Sequence, residues 1–584
     1  MSTPESWAVR RARLLDRFHA RAARFGRASN AFTSQPEPRT IGSYGRGRQL
    51  CDGNFLFAGY HVVAKDTAIW DLAMPDEAFE TEAHGFLWLD DLAAAGDALA
   101  RAKAQEWTHA WIKRHGRGSG PGWAPDLTGR RLMRWINHAI LLLNGQEREA
   151  SRAFFRTLSA QTTFLARRWH TAEPGLPRFE ALCGLIYASL SLAKMDRHVG
   201  PASEALAREC AERIDGQGGI PTRNPEELLE VFTLLTWCMD ALVEAGMPLS
   251  PEHQAAIERI APTLRSLRHA DGGLARFHGG GRGIEGRLDQ ALATSGVKQM
   301  RHTGLSMGFV RLAHGRTSVI VDAAPPPSGE QSLNAHASTL AFELTSGRRP
   351  LIVNCGSGAS FGANWRRAGR ATPSHSTLAL EGYSSSRLGG SGFIAGRRTE
   401  LLLETPQDVV CNRPEEGPTA VAVLSHDGFE PTHGLTHVRR LELATDGRGL
   451  VGDDSLSAVT RVNERQLALA LDQSPGTGIR FHIRFHLHPD VRADLDMGGT
   501  AVSMMLKSEE VWIFRFTGPA QLSLGPSVFL EKGRMAPRAS KQIVLTGDAH
   551  EVATHIGWTL SKAQDTPSGI RDTALEEDLA ADRT

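Results

Sequence analysis

The stretch GLSMGFVRLAHGRTSVIVDA (Gly304–Ala323) is where the sequence changes from helical to strand patterns. Within it, SMGFVRLAHG and TSVIVDA are short segments of alternating character, with turn residues such as Gly315 between their apolar positions. This pattern predicts two strands joined by a tight turn. Similar segments recur to about residue 561, for example VWIFRFTG (Val511–Gly518), whose aromatic residues alternate. The second half of the chain is therefore predicted to be an antiparallel β domain of a dozen or more strands, folded as a sandwich.

Before this stretch, apolar residues recur at helical spacing over residues 75–287. The clearest helix follows Asn224, a capping residue, with Pro225 at the first helical position and Glu226 and Glu227 in the first turn. Further helices are predicted over 89–112, 127–145, 147–171, 177–195, 202–214 and 251–268. Successive helices with short connections indicate antiparallel helical hairpins.

Composition restricts the class of protein. With 584 residues, 41% of them hydrophobic, the chain is long enough for two or more domains. The 66 basic and 65 acidic residues give a net charge of +1, which argues against a general nucleic-acid-binding protein. No run of apolar residues is long enough to predict a transmembrane segment. The arginine-rich N-terminal segment predicts a basic amphipathic helix, and a solvated helix is favoured over one lying on a membrane surface.

The six cysteines form no CxxC pair, a pattern typical of reduced, buried thiols. Together with the lack of a signal-peptide pattern, it predicts a cytoplasmic protein and leaves the periplasm open.

Five segments, in order along the chain, carry a resemblance to a known family. They are GWAPDLTGRRLMRWINH (Gly122–His138), DGQGGIPTRNPEELLE (Asp215–Glu230), SLNAHASTLAFEL (Ser332–Leu344), RPLIVNCGSG (Arg349–Gly358) and ATPSHSTLALEG (Ala371–Gly382). In these segments the sequence resembles the heparinase II/III-like family of polysaccharide lyases. The resemblance implies an α+β multidomain protein, with an incomplete N-terminal α/α toroid followed by a C-terminal antiparallel β-sandwich. The predicted units are a basic helix and extended lead-in over 1–74, the toroid over 75–287, the sandwich over 288–561 and a flexible tail over 562–584.

The resemblance also implies cleavage of uronic-acid-containing glycans by β-elimination. That reaction needs a group that neutralises the C5 carboxylate, a base that removes the C5 proton and an acid that protonates the leaving O4. Two family histidines are retained, as His336 and His375. Asn334 and Asn354 stand where the family has a catalytic histidine and a metal-side aspartate. The family's catalytic tyrosine falls at Glu227, and its carboxylate-neutralising asparagine falls at Arg178 or Phe179.

The predicted catalytic residues are accordingly His336, His375, Arg223 and Glu227. Arg223 is included because it precedes a helix N-terminus, where backbone N–H groups also favour anions, and a guanidinium suits a carboxylate. The predicted substrate-binding residues are Arg178, Asn334 and Trp123, the last on a Gly-Pro loop.

The predicted partner is an acidic polysaccharide or oligosaccharide. No cofactor is expected to be required; a divalent metal such as zinc at His336, Asn354 and His375 is an additional prediction, although two histidines and a neutral amide are a poor zinc shell. Because the family's asparagine, tyrosine and one histidine are replaced, two alternatives stay open. One is a glycan-binding protein without catalysis. The other is a glycoside hydrolase that uses Glu180 and Glu227.

Two further histidine groups are interpreted as structural. His482, His486 and His488 fall on one face of a predicted strand, where Arg484 would repel a cation. His426, His433 and His437 lie near Asp427 in a segment rich in glycine and threonine.

Overall fold

The computed structural model describes residues 7–26, 28–33, 39–298, 304–394, 397–414, 418–474 and 478–563. The predicted flexible tail lies outside the described residues from residue 564 onward. The described part of the chain contains no helix long and apolar enough to cross a membrane. The cytoplasmic location stays a prediction.

The first half of the chain is helical. Its helices are α1 (Trp7–Ala23), α2 (Tyr44–Cys51), α3 (Glu77–His84), α4 (Leu87–Ala95), α5 (Ala98–His115), α6 (Pro125–Asn137), α7 (Ala139–Leu143), α8 (Arg148–Arg168), α9 (Leu176–Ser191), α10 (Val199–Arg213), α11 (Pro225–Glu244), α12 (Pro251–Ser266) and α13 (Arg287–Ser295), with a hairpin of β1 (Asn54–Phe57) and β2 (Tyr60–Val63). Consecutive helices pack on one another, as α9 does on α10 and α11 on α12. This part is the incomplete α/α toroid.

Helix boundaries follow local capping chemistry. The predicted helix 89–112 is wrong as a single helix, because α4 ends at Gly96, whose φ is 68°, and α5 begins at the cap Asp97. The side chain of Asp97 accepts a hydrogen bond from the backbone N–H of Ala100. The cap predicted at Asn224 is confirmed, since its side chain accepts from the backbone N–H groups of Glu226 and Glu227.

The second half of the chain forms two large antiparallel sheets. Its strands are β3 (Phe309–His314), β4 (Thr317–Asp322), β5 (Phe342–Ser346), β6 (Arg349–Val353), β7 (Leu378–Leu380), β8 (Arg387–Ile394), β9 (Arg397–Leu403), β10 (Val409–Asn412), β11 (Ala420–Phe429), β12 (Leu435–Leu443), β13 (Gly449–Ser457), β14 (Ile479–Leu487), β15 (Arg492–Asp496), β16 (Ala501–Met505), β17 (Val511–Thr517), β18 (Ala520–Phe529), β19 (Arg538–Ala549) and β20 (Ala553–Lys562), and its helices are α14 (Ala363–Arg370), α15 (Glu430–His433) and α16 (Arg461–Gln473). One sheet has the order β10-β11-β12-β13-β20-β17-β16-β15. The other has the order β18-β19-β14-β6-β5-β4-β3, with β7 paired to β14.

Aromatic side chains from both sheets meet in the core of the sandwich. Phe342 of β5 stacks on Trp558 of β20 with ring centroids 5.8 Å apart, and Phe485 of β14 contacts both Trp558 and Phe514. Alternating apolar residues on each strand therefore close the two sheets face to face, as the sequence predicts.

The helical part continues past residue 287, where the toroid is predicted to end. Helix α13 packs on α11 and α12, so the helical layer extends to Ser295. The glycine-rich segment before it, residues 278–286, runs along the boundary between the toroid and the sandwich. Gly281 donates its N–H to Glu226 of α11 in the toroid. Gly279 lies next to Asn334, which belongs to the sandwich. Of the predicted site residues, Asn334 lies at this boundary.

Candidate active site

His336 and His375 form a hydrogen-bonded pair at the domain boundary. Nδ1 of His336 lies 3.0 Å from Nε2 of His375, and Nδ1 of His375 lies 2.9 Å from the carbonyl oxygen of Ala371. Because a carbonyl only accepts, Nδ1 of His375 carries a proton and its Nε2 must accept from Nδ1–H of His336. The neutral ring of His336 then has its lone pair on Nε2. No described residue forms a hydrogen bond with that nitrogen.

Both rings are neutral at pH 7. Burial lowers the pKa of His336 well below its usual value, and nearby His375, His278, Arg370 and Arg366 lower it further. Burial lowers the pKa of His375 to about 4. A neutral imidazole with a free lone pair is chemically a base.

An arginine fixes the segment that carries His336. Arg370 of α14 donates from Nε to the carbonyl oxygen of Ala335 (2.8 Å) and from Nη2 to that of Ser332 (2.8 Å). Its own carbonyl oxygen accepts from the N–H of Ala337. The residues on both sides of His336 are therefore held to α14, five residues before His375.

A second network joins the histidine pair to the toroid. The backbone N–H of His336 donates to Nδ1 of His278 (3.2 Å). Nε2 of His278 lies 3.3 Å from Oδ2 of Asp322, and Oδ1 of Asp322 lies 2.6 Å from Nη2 of Arg223. His278 and Asp322 are both fully buried, and the Arg223 guanidinium and the histidine help to hold the pKa of Asp322 far below its usual value, against the effect of burial.

Arg223 has no donor left for a substrate. Its five N–H groups point at the carbonyl oxygens of Met307, Gly308, Ala324 and Pro325 and at Asp322, at 2.6–3.1 Å. The guanidinium also lies 4.7 Å from the ring centroid of Phe309. The interpretation of Arg223 as a carboxylate-binding catalytic residue is therefore corrected: it is a structural clamp between toroid and sandwich.

Glu227 faces a small pocket at the same boundary. The pocket is lined by Arg213, Thr222 and Phe179 of the toroid and by Gln331 of the sandwich, five residues before His336. Burial raises the pKa of Glu227 to about 7, with the negative charge of Glu180 adding to the effect. At neutral pH a large share of Glu227 is thus protonated, as a general acid requires.

Glu180 is engaged elsewhere. Its two carboxylate oxygens accept from Nε and Nη2 of Arg130 at 2.8 and 2.6 Å. A carboxylate held in this bidentate pair is poorly placed to act as the second carboxylate of a hydrolase.

Two predicted substrate contacts are corrected. Arg178 donates from Nε and Nη2 to the carbonyl oxygen of Ala172 and from Nη1 to the carboxylate of Glu209. Its guanidinium is therefore bonded within the toroid, near the start of α9. Trp123 is 3% exposed, stacks on Trp111, and donates its indole N–H to the carbonyl oxygen of His115 (2.9 Å). It packs inside the helical core and cannot reach a sugar.

The residues predicted for zinc do not fit a metal ion. Both nitrogens of His375 are engaged, and Oδ1 of the fully buried Asn354 accepts from the N–H of Ser376 (3.0 Å). The unpartnered buried atom of Asn354 is Nδ2, an N–H₂ donor that does not bind metals. Within the described ranges, no three His, Cys, Asp or Glu side chains are grouped to hold a metal. That no cofactor is required stays a prediction.

Asn334, in contrast, is exposed at the boundary. Its Oδ1 accepts from Nη2 of Arg366 (3.1 Å), and its Cβ would lie 2.9 Å from a Cβ added at Gly279. The asparagine therefore sits where the two halves of the protein approach each other, two residues before His336.

The other histidine groups have structural partners. His486 contacts Ser527 (2.7 Å) and the carbonyl oxygen of Pro373 (2.9 Å), and His482 contacts Thr546. His437 lies between His426 (3.2 Å) and Asp454 (2.7 Å) in a fully buried network.

Sequence reasoning missed His278, Asp322, Arg366 and Arg370. Asp322 carried a usable signal: it ends the apolar strand TSVIVD, every residue of which is buried. A carboxylate in such a run needs a cationic or hydrogen-bonding partner. The arginines carried no comparable signal, because their partners are backbone carbonyls.

A helical toroid joined to an antiparallel sandwich is the class of fold found in heparinases. A family model described as "Heparinase II/III-like, C-terminal" matches residues 297–559. Among solved structures, a heparinase III is similar with a TM-score of 0.65 and 13% identity, covering 96% of this chain and 92% of that one. The heparan sulfate lyase HepC of Pedobacter heparinus gives a TM-score of 0.52 and 14% identity over 95% and 89% of the two chains.

A curated relative is closer in sequence. FtsZ-localized protein C of Caulobacter vibrioides is 32% identical over 541 residues, which are 90% of this chain and 89% of that protein. The chain belongs to the heparinase II/III-like family.

Proposed function

We propose that this protein binds an acidic, uronic-acid-containing glycan at the boundary between toroid and sandwich and cleaves it by β-elimination. His336 acts as the base and Glu227 as the acid. His375 is a positioning residue, since its hydrogen bond fixes which nitrogen of His336 is basic.

In this reaction Nε2 of His336 removes the C5 proton of the uronate. The electron pair of the broken C–H bond forms the C4–C5 double bond as the C4–O4 bond breaks. Glu227 gives its proton to the leaving O4, which becomes a hydroxyl. The products are an unsaturated uronate and a new chain end, and the proton on His336 returns to Glu227 through solvent.

The observation that carries the proposal is the free lone pair on Nε2 of His336. It follows from two hydrogen bonds, at 3.0 and 2.9 Å, that set the tautomer of both rings. His336 differs in this from His437, whose two ring nitrogens both have partners.

A specific observation favours a second candidate, glycan binding without cleavage. The arginines first assigned to the substrate carboxylate, Arg178 and Arg223, are bonded within the protein. The relative from Caulobacter is also named for its localization with FtsZ and not for an activity.

The test is ultraviolet absorbance on a panel of acidic glycans, because elimination creates a conjugated double bond. The wild-type protein should raise the absorbance, and the variants His336→Ala and His375→Ala should abolish the rise while each variant stays folded, as circular dichroism would show. His550→Ala, at an exposed histidine of the sandwich, is the matched control and should keep full activity. Full activity in both site variants contradicts the proposal. Binding without absorbance supports the second candidate, and new reducing ends without absorbance indicate hydrolysis.

A further inference from the structure

One arginine at the boundary retains free donors. Arg366 of α14 is half-buried and donates from Nη2 to the carbonyl oxygen of Leu333 (2.7 Å) and to Oδ1 of Asn334 (3.1 Å). No described residue accepts from its Nε or Nη1. Three N–H donors, one on Nε and two on Nη1, are therefore open to a ligand.

The position of Arg366 is fixed next to the base. Its two partners stand three and two residues before His336, on the segment that Arg370 holds to the same helix. The positive charge of Arg366 is also close enough to His336 to help keep that imidazole neutral. Asn334 shares the site, and its side-chain amide Nδ2 has no acceptor among the described residues.

The other cations near this site are occupied. Arg370 gives its Nη1 to the carbonyl oxygen of Glu400 in addition to its bonds to the His336 segment. Lys532 pairs with Glu226 at 3.2 Å. Arg367, which follows Arg366, lies 3.4 Å from the Glu400 carboxylate and is 64% exposed.

We propose that Arg366 binds the carboxylate of the acidic glycan beside His336, with the amide of Asn334 as a second donor. The inference rests on the proposed function and names the carboxylate-binding group that Arg178 and Arg223 do not supply. A guanidinium next to the carboxylate offsets the charge that builds up when the C5 proton leaves, so it acts on the transition state as well as on binding. In a protein that only binds, the same contact selects uronates over neutral sugars.

The test compares two ligands and three proteins. The ligands are an unsulfated hexasaccharide of alternating glucuronate and N-acetylglucosamine and the same hexasaccharide with its carboxyl groups reduced to alcohols. The proteins are the wild type, Arg366→Gln and the matched control Arg367→Gln, which changes a neighbouring arginine of the same helix. Affinity is measured by titration calorimetry at fixed, low salt, because charge contacts are screened, and all three proteins carry His336→Ala so that the ligand is not cleaved during the titration.

The wild type should prefer the acidic ligand. Arg366→Gln should lose roughly 10- to 100-fold in affinity for the acidic ligand, the range expected for a hydrogen bond to a charged group, and lose little for the reduced one. Arg367→Gln should stay within about twofold of wild type for both, because an exposed pair contributes little. Arg366→Lys, which keeps the charge without the planar donors, should recover part of the loss.

The outcomes separate the two proposals. If the wild type binds neither ligand, the proposed function fails. If the wild type prefers the acidic ligand and Arg366→Gln keeps that preference, the function stands and the assignment of Arg366 is overturned. The ratio of the affinities for the acidic and the reduced ligand is taken within each variant. A partly unfolded variant would lose affinity for both ligands, so it could not imitate a loss that is specific to the acidic one.

Discussion

The substitution Asp322→Ala tests the network that joins the two halves of the protein. Asp322 is fully buried and accepts from Arg223 (2.6 Å) and from the hydroxyl of Ser338 (2.7 Å). Removing the carboxylate leaves the guanidinium with carbonyl acceptors but no counter-charge. Breaking a buried ion pair in this way costs about 3–5 kcal/mol. That is a large fraction of the roughly 5–15 kcal/mol by which ordinary domains are stable.

The assay is urea unfolding followed by circular dichroism and by tryptophan fluorescence. Because the chain has two structural units, the midpoints of the curves are compared and no single two-state free energy is fitted. We expect Asp322→Ala to lower the midpoint and to separate the helical and sheet transitions, since the ion pair crosses between them.

The control is Asp289→Ala. Asp289 forms an equally short bidentate pair with Arg268, at 2.6 and 2.8 Å, but its side chain is 63% exposed. An exposed pair contributes at most about 1 kcal/mol. If Asp322→Ala costs no more than Asp289→Ala, the reasoning that a buried clamp joins the two halves is refuted.

Three other outcomes are expected. Gly308→Ala should destabilise the protein by about 1–3 kcal/mol in urea unfolding, because the added Cβ would lie 2.7 Å from the Arg223 guanidinium. The control Gly382→Ala has the same φ of 78° but lies in open space, so it should cost about 1 kcal/mol. Equal losses of stability in the two variants would argue against a steric clash at Gly308. The pKa of His375 is about 4 in the folded protein and 6.5 in the unfolded chain, so between these pH values only the unfolded chain binds the proton. The stability of the protein is therefore full above pH 6.5 and falls as the pH drops towards 4. That shift corresponds to roughly 3 kcal/mol, so His375→Gln should flatten the pH dependence of the unfolding midpoint between pH 7 and 4, and an unchanged slope would contradict the burial effect. Trp123→Phe should lower stability by about 1–2 kcal/mol through loss of the indole hydrogen bond and leave glycan affinity unchanged; a loss of affinity would restore it as a sugar contact.

Local chemistry was predictable from the sequence. Asn224 and Pro225 begin α11 where capping rules place them, and alternating apolar residues such as Phe485 and Phe514 face the sandwich core. The long-range use of a side chain was not predictable in the same way. Arg223 precedes a helix N-terminus, which suggests an anion site, yet its acceptors lie 84 to 102 residues further along the chain.

The site shows the same limit. The resemblance pointed to His336 and His375 together, and the two rings are in direct contact. It could not show that Arg366 would keep free donors while Arg370, four residues later, would use all of its nitrogens on backbone carbonyls. That difference depends on how the segment before His336 folds over α14, and spacing along the chain does not encode it.

The clamp at Arg223 also limits how far the two halves of the protein can move apart. The acceptors of its guanidinium all lie between Met307 and Pro325. If the sandwich moved away from the toroid at this end, the buried guanidinium would lose these hydrogen bonds and its ion pair with Asp322, which is energetically costly. Hinge motion between the two halves is thereby disfavoured, and their relative position at this boundary is set when the protein folds. If the proposed function holds, a glycan has to fit a boundary whose shape is already set, and the two halves would not move apart to admit a bulky substituent or branch.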